Sequence, residues 1–118
     1  TTVMICNLPC HFPIEKLAKT IDDMGFGERY DLLYIVMGKK NMSAGTPNLG
    51  YGFINFLDPA DVEPFFAAFD GHEFEGSNSQ KRGAARVSHV QGLRKSLLQI
   101  FGTSQGNSFK GCPPWLYK

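Results

Sequence analysis

Hydrophobic and polar positions change period several times along this chain, and each change marks an element. From Leu49 to Phe56 the side chains alternate, with Gly52, Ile54 and Phe56 on one face of an extended strand and Tyr51 and Phe53 on the other. The first set is core chemistry. The second is unusual, because a half-buried strand ordinarily turns polar groups outward, and this one turns out two rings with glycines beside them. Thr2 to Pro9 reads as an earlier strand, β-branched and apolar, stopped by Pro9. Its Val3 and Ile5 enter the core, while Met4 and Cys6 face outward beside Tyr51 and Phe53. Tyr30 to Val36 is apolar on both parities. Leu33 and Ile35 are assigned inside and Tyr34 to the sheet face, with a core Tyr34 as the alternative. Ala84 to Val90 is the last strand, Ala85 and Val87 pointing inward and Arg86, Ser88 and His89 lining the sheet face or its edge.

Between the strands the period lengthens. Ile14, Leu17, Ala18, Ile21 and Met24 recur at helical spacing, with Pro13 suited to the first helical position and Gly25 to the C-terminal cap. A second helix opens at Asp58-Pro59-Ala60-Asp61 and carries Val62, Phe65, Phe66 and Phe69 on its apolar side. Pro64 predicts a local irregularity in it. Gly71 to Gly76 reads as a short turn or minor hairpin with Phe74 tucked inward and His72 exposed. Leu93 to Phe101 predicts a third helix, with Leu93, Leu97, Leu98 and Phe101 on one side and Arg94 and Lys95 on the other. Gly38 to Asn48 is a loop by composition, and Thr103 to Lys110 a polar, mobile stretch. The ending Cys112-Pro113-Pro114-Trp115-Leu116-Tyr117 is apolar again; it either docks on the domain or meets a partner.

Strand, helix, strand, strand, helix, strand is the split βαβ order. The expected fold is therefore α+β and ferredoxin-like, a four-stranded antiparallel sheet with two helices on one face, plus a C-terminal third helix and docked tail. Residues 1–92 form the core of one domain and 93–118 extend it. A chain of 118 residues suits a single domain. It opens directly on a strand at Thr1, as a domain cut from something longer would.

Charge refines this picture. The net charge of +1 argues against binding driven by electrostatics alone, but residues 1–75 carry five Lys/Arg against eleven Asp/Glu, and residues 76–118 carry seven Lys/Arg and no acid. A basic surface can sit inside such a neutral total, the alternative being charges scattered over two solvated faces. Cys6, Cys10 and Cys112 make an odd count without disulfide spacing, which suits a reducing compartment, nucleus or cytosol. Cys6-x-x-x-Cys10-His11 has the spacing of no common zinc knuckle and lacks a second ligand pair. No cofactor is expected. There is no signal peptide or membrane-length apolar run, so no membrane partner is expected either. His11, His72 and His89 lie in unrelated segments, and no paired carboxylates, Ser/His arrangement, phosphate loop or nucleophile elbow appears; an enzyme is not expected.

Leu49 to Phe56 resembles the octamer of RNA recognition motifs, basic-Gly-aromatic-Gly/Ala-Phe-Val-x-aromatic, with Leu49 where Lys or Arg is usual. Val3 to Leu8 resembles the partner hexamer, Met4 standing where an aromatic is usual and Asn7-Leu8 matching. Asn7-Leu8-Pro9, Gly25-Phe26, Tyr30-Asp31, Leu33-Tyr34, Gly50-Tyr51, Asp58-Pro59, Gln91-Gly92 and the Cys-Pro-Pro-Trp-Leu-Tyr ending are similar to the C-terminal RNA recognition motif of Mei-two-like proteins. Cys6 and Val87 depart from that family, which commonly places Arg and Tyr there. Loss of the Arg weakens phosphate or base contact.

The resemblance implies binding of single-stranded RNA and a role in meiotic or developmental RNA regulation. The residues expected to carry binding are Tyr51 and Phe53 by stacking, with Met4 or Tyr34 beside them. Arg86 can stack or pair with phosphate, Lys39 and Lys40 reach phosphates from their loop, and Asn7, Ser88 and His89 complete the set. The alternative is a protein-interaction or homodimerisation module using the same face or the tail, which Met4, Cys6 and Leu49 favour.

Overall fold

A computed structural model describes residues 1–37, 48–74, 82–92, 94–96, 98 and 115–117. Strand β1 is Thr2–Cys6, helix α1 Ile14–Ile21, β2 Tyr30–Met37, β3 Asn48–Phe56, α2 Val62–Phe69, β4 Ala84–Val87 and β5 Trp115–Tyr117. All pairings are antiparallel, and the sheet runs β4-β1-β3-β2-β5. The four expected strands are thus joined by a fifth. The apolar tail docks by its backbone along β2, Trp115 opposite Tyr34 and Tyr117 opposite Leu32.

Both helices lie on one face. Ile14, Leu17 and Ile21 of α1 and Phe65 and Phe69 of α2 bury against Val3, Ile5, Leu33, Ile35, Ile54 and Phe56 of the sheet. The π-helical turn Asp22–Phe26 continues α1 until Gly25, at φ 99°, turns the chain as only glycine does readily. That turn delivers Phe26 edge-on to Phe56 and Phe65, at centroid distances of 5.9 and 5.5 Å.

Several local expectations shift. Pro13 stands one place before the helix, extended at φ −75° and ψ 155°, where its carbonyl accepts from the Lys16 and Leu17 amides. The irregularity expected at Pro64 is not found there; a separate 3-10 turn over Pro59–Asp61, capped by the Asp58 carboxylate on the Ala60 amide, leads into the helix. Pro64 then falls in the first turn of α2, where a missing N–H breaks no α-helical bond. Val87, expected inside, is 66% exposed, because β4 is an edge strand of only four residues. His72, expected exposed, is half-buried between Phe69 and Phe74. Residues 94–96 and 98 are helical; the remainder of the third helix, the loop with Lys39 and Lys40, and the 103–110 stretch lie outside the described residues.

Candidate nucleic-acid interface

The face of the sheet away from the helices takes the other parity. Pairing aligns Met4 with Phe53 and with Arg86, Cys6 with Tyr51, Tyr34 with Phe53, and Thr2 with Asn55. None of these side chains belongs to the helix-side core. At the centre, Phe53 stacks on Tyr34 with ring centroids 5.1 Å apart and planes 29° from parallel, and Tyr51 meets Phe53 edge-on at 6.0 Å and 86°. Tyr51, Phe53 and Met4 are half-exposed, and Arg86 is exposed. Together they offer two perpendicular aromatic surfaces, a thioether and a guanidinium, which suit a stacked base and a phosphate.

Gly52 makes the central approach possible. A Cβ there would collide with the Tyr34 carbonyl oxygen, so this glycine lets β2 and β3 close up beside a register shift at Ile35–Met37. Cys6 lies half-buried beside the rings; burial pushes its thiol pKa up, and Arg86 pulls the other way.

Tyr34 is on the sheet face, as expected, but only 4% exposed. Burial, and secondarily the nearby Tyr51, pushes its phenol up to about 12. Ser88, expected to line the face, is instead buried with its hydroxyl accepting from the Val90 amide, so that a turn holds it. His89 is exposed at that turn. Asn7, also exposed, adopts φ 63° and ends β1, a conformation its short polar side chain tolerates.

The far end of the same face holds a polar lock that periodicity did not announce. Asn55 Oδ1 accepts from the Thr2 hydroxyl at 2.6 Å, and Asn55 Nδ2 donates to Asp31 at 2.9 Å. Gln91 accepts from the Thr2 amide and donates to the carbonyls of Thr2 and Ser88, at 3.0, 2.9 and 2.7 Å. The Gly92 amide donates to the Thr2 hydroxyl at 2.8 Å. The chain leaving β4 is therefore pinned across the Thr2–Asn55 end. Leu32, on this face, is 1% exposed and Ser96 likewise. The available signals were Asn55, a poor strand former inside a strand, and the Gln91-Gly92 pair.

Among the described residues no group of three or more His, Cys, Asp or Glu gathers to hold a metal, and no helix is long and apolar enough to cross a membrane.

The family model for RNA recognition motif 2 matches residues 1–101. Over 117 residues the chain is 35% identical to Protein MEI2-like 1 of Arabidopsis thaliana and 33% identical to Protein MEI2-like 3 of Oryza sativa subsp. japonica. Each alignment covers 99% of this chain and 12% of the relative, so the chain spans about an eighth of those proteins. In fold, it is similar to the RRM of Rna15 with bound RNA (GU), with a TM-score of 0.59 and 15% identity over 83% of this chain and 93% of that one. It is also similar to RNA recognition domains 1 and 2 of Sex-lethal from Drosophila melanogaster, with a TM-score of 0.56 and 14% identity over 99% of this chain and 84% of that one.

Proposed function

Because the chain belongs to the RNA recognition motif 2 family and is of its Mei2-like kind, we propose that it binds a short single strand of RNA by stacking bases on Tyr51 and Phe53. Met4 lies against the same bases, and Arg86 meets a phosphate or a base edge. The role is RNA regulation in meiosis or development, in a reducing compartment, nucleus or cytosol. This is a binding module and not an enzyme, as its family indicates. The observation that carries the reading is a pair of half-exposed rings on the sheet face away from α1 and α2, with Met4 and Arg86 in register beside them.

Magnitudes bound the mechanism. Stacking contributes about 1–3 kcal/mol per base, so two rings supply roughly 2–6 kcal/mol. Micromolar affinity needs about 8 kcal/mol, and the difference falls to Arg86 and other basic groups through phosphate contacts. Salt dependence is correspondingly moderate, with a log–log slope near about −2 for three phosphates on a single strand.

The test is Tyr51→Ala combined with Phe53→Ala, assayed against a random single-stranded RNA pool, with urea unfolding as a control on the fold. Binding is expected to vanish while the cooperative transition stays. Wild-type affinity in the double variant would place the site elsewhere.

A further inference from the structure

The helix side of the domain carries a second surface that RNA stacking does not use. Between α1 and α2 runs an open groove of about 640 Å³, lined among others by Phe12, Lys16, Thr20, Met24, Ala68 and His72. Its origin is legible in the residues. Thr20 and Ala68 are small, so the two helices leave space between them, and the Thr20 hydroxyl is turned back onto the Lys16 carbonyl at 2.9 Å. The rings at its floor brace one another. Phe12 packs edge-on to Phe74 at 5.2 Å, and His72 stacks on Phe69 at 5.8 Å and 20° while meeting Phe74 at 5.1 Å. The His72 backbone is fixed too, its amide donating to Phe69 and its carbonyl accepting from Gly83. A floor so held is preformed, and the volume falls in the roughly 300–1,000 Å³ range of binding clefts.

Charge selects the occupant. Residues 1–75 are acidic overall, yet two of their five basic side chains, Lys16 and Lys19, line this one groove against a single acid, Asp23. Lys19 pairs with Asp23 at 2.8 Å, while exposed Lys16 makes no ion pair among the described residues. An apolar floor beside an unpaired ammonium fits an apolar side chain with a carboxylate next to it. We propose that the α1–α2 groove docks a segment of a partner protein, an acidic peptide that inserts one aliphatic or aromatic side chain over Phe12 and His72 and sets a carboxylate on Lys16. The groove and the Tyr51–Phe53 rings lie on opposite faces of the sheet, so RNA and peptide bind together.

Random peptides displayed on phage are selected against the intact chain, and a synthetic copy of an enriched peptide is titrated into wild type, Lys16→Glu and Ala68→Gln. Both variants change exposed helix positions, and circular dichroism confirms their fold. The expected result is enrichment of sequences pairing Asp or Glu with an apolar residue, amide shifts confined to 12–24, 68 and 72, and affinity reduced about fivefold to tenfold in each variant. RNA-pool binding should stay at the wild-type level in both. Each of these results would overturn the proposal: no acidic-apolar enrichment, equal peptide affinity in the variants, peptide shifts on the sheet face, or self-association seen by light scattering that the same variants abolish. A loss of RNA affinity in Lys16→Glu would assign the groove to RNA instead. The proposal stands or falls separately from RNA stacking, because the peptide readout needs no RNA.

Discussion

Phe53 and Tyr34 stack on one another on one face of one sheet, yet Phe53 keeps part of its surface in solvent and Tyr34 keeps 4%. Their alternation is the same; their neighbours differ. Phe53 stands on β3 opposite Met4, a flexible side chain that is itself half-exposed. Tyr34 stands on β2, which the tail turns from an edge strand into an interior one, with Trp115 opposite Tyr34 itself. Leu32 shares that situation, opposite Tyr117 and at the end where Gln91 and Gly92 cross over Thr2. Parity decides which face a side chain takes, and the next strand or crossing segment decides whether a ligand can reach it. The face away from α1 and α2 therefore has a sealed half that holds the fold and an open half that is free to bind.

Replacing Tyr34 tests that division hardest. Tyr34→Ala removes a buried ring from a stacked pair and should cost about 3–5 kcal/mol of stability, the range for burial of a large aromatic, read as a lower urea midpoint. Tyr51→Ala, on the open half, should cost less than about 1 kcal/mol. Equal losses from the two variants would erase the distinction between the halves.

A subtler version uses protons. The Tyr34 phenol is raised to about 12 by burial, and Tyr30, in the helix-side core, is raised to about 12 by burial and then by Asp22, whose carboxylate its hydroxyl contacts. A raised phenol pKa means the folded state holds the proton more tightly than the unfolded chain does, whose phenols titrate near about 10. Stability is thus complete below pH ~10 and falls as pH rises toward about 12. In Tyr34→Phe that decline should be shallower, and absorbance titration should lose one late-titrating phenol. If the lost phenol titrates near pH ~10 instead, Tyr34 is not sealed.

What the sequence revealed follows the same line. The split βαβ order, the faces of β1 and β3 and the outward Tyr51 and Phe53 were readable because they depend on period two and period 3.6, which are local. The Tyr34 placement was readable as a face and not as a burial, since the face parity is local while the strand that pairs with β2 on its outer side comes from residues more than eighty positions away. Val87 failed for a similar reason: its inward parity is real, but no strand lies beyond β4 among the described residues. Ser88 and Gln91 were drawn into a knot with Thr2 that no window of neighbouring residues contains. His72 gave no partner pattern because its partners, Phe69 and Phe74, are rings that would be read as core without it.

The gentlest change adds to the open half instead of removing from the sealed one. Met4 is half-exposed, with Phe53 on one neighbouring strand and Arg86 on the other. A ring at this position would lie in line with Phe53 and offer a base a flat surface in place of a flexible thioether. Met4→Phe should therefore raise RNA affinity by about threefold to fivefold, corresponding to roughly 0.7–1 kcal/mol, the lower edge of what stacking contributes per base. Because the position is half-exposed, the added volume need not enter the packed core, and the urea midpoint should hold. The gain should disappear when Phe53→Ala is introduced as well, since the new ring acts beside its neighbour and not alone. If Met4→Phe strengthens binding equally with and without Phe53, the two side chains do not form one surface. The open half would then be a set of separate contacts and not a platform.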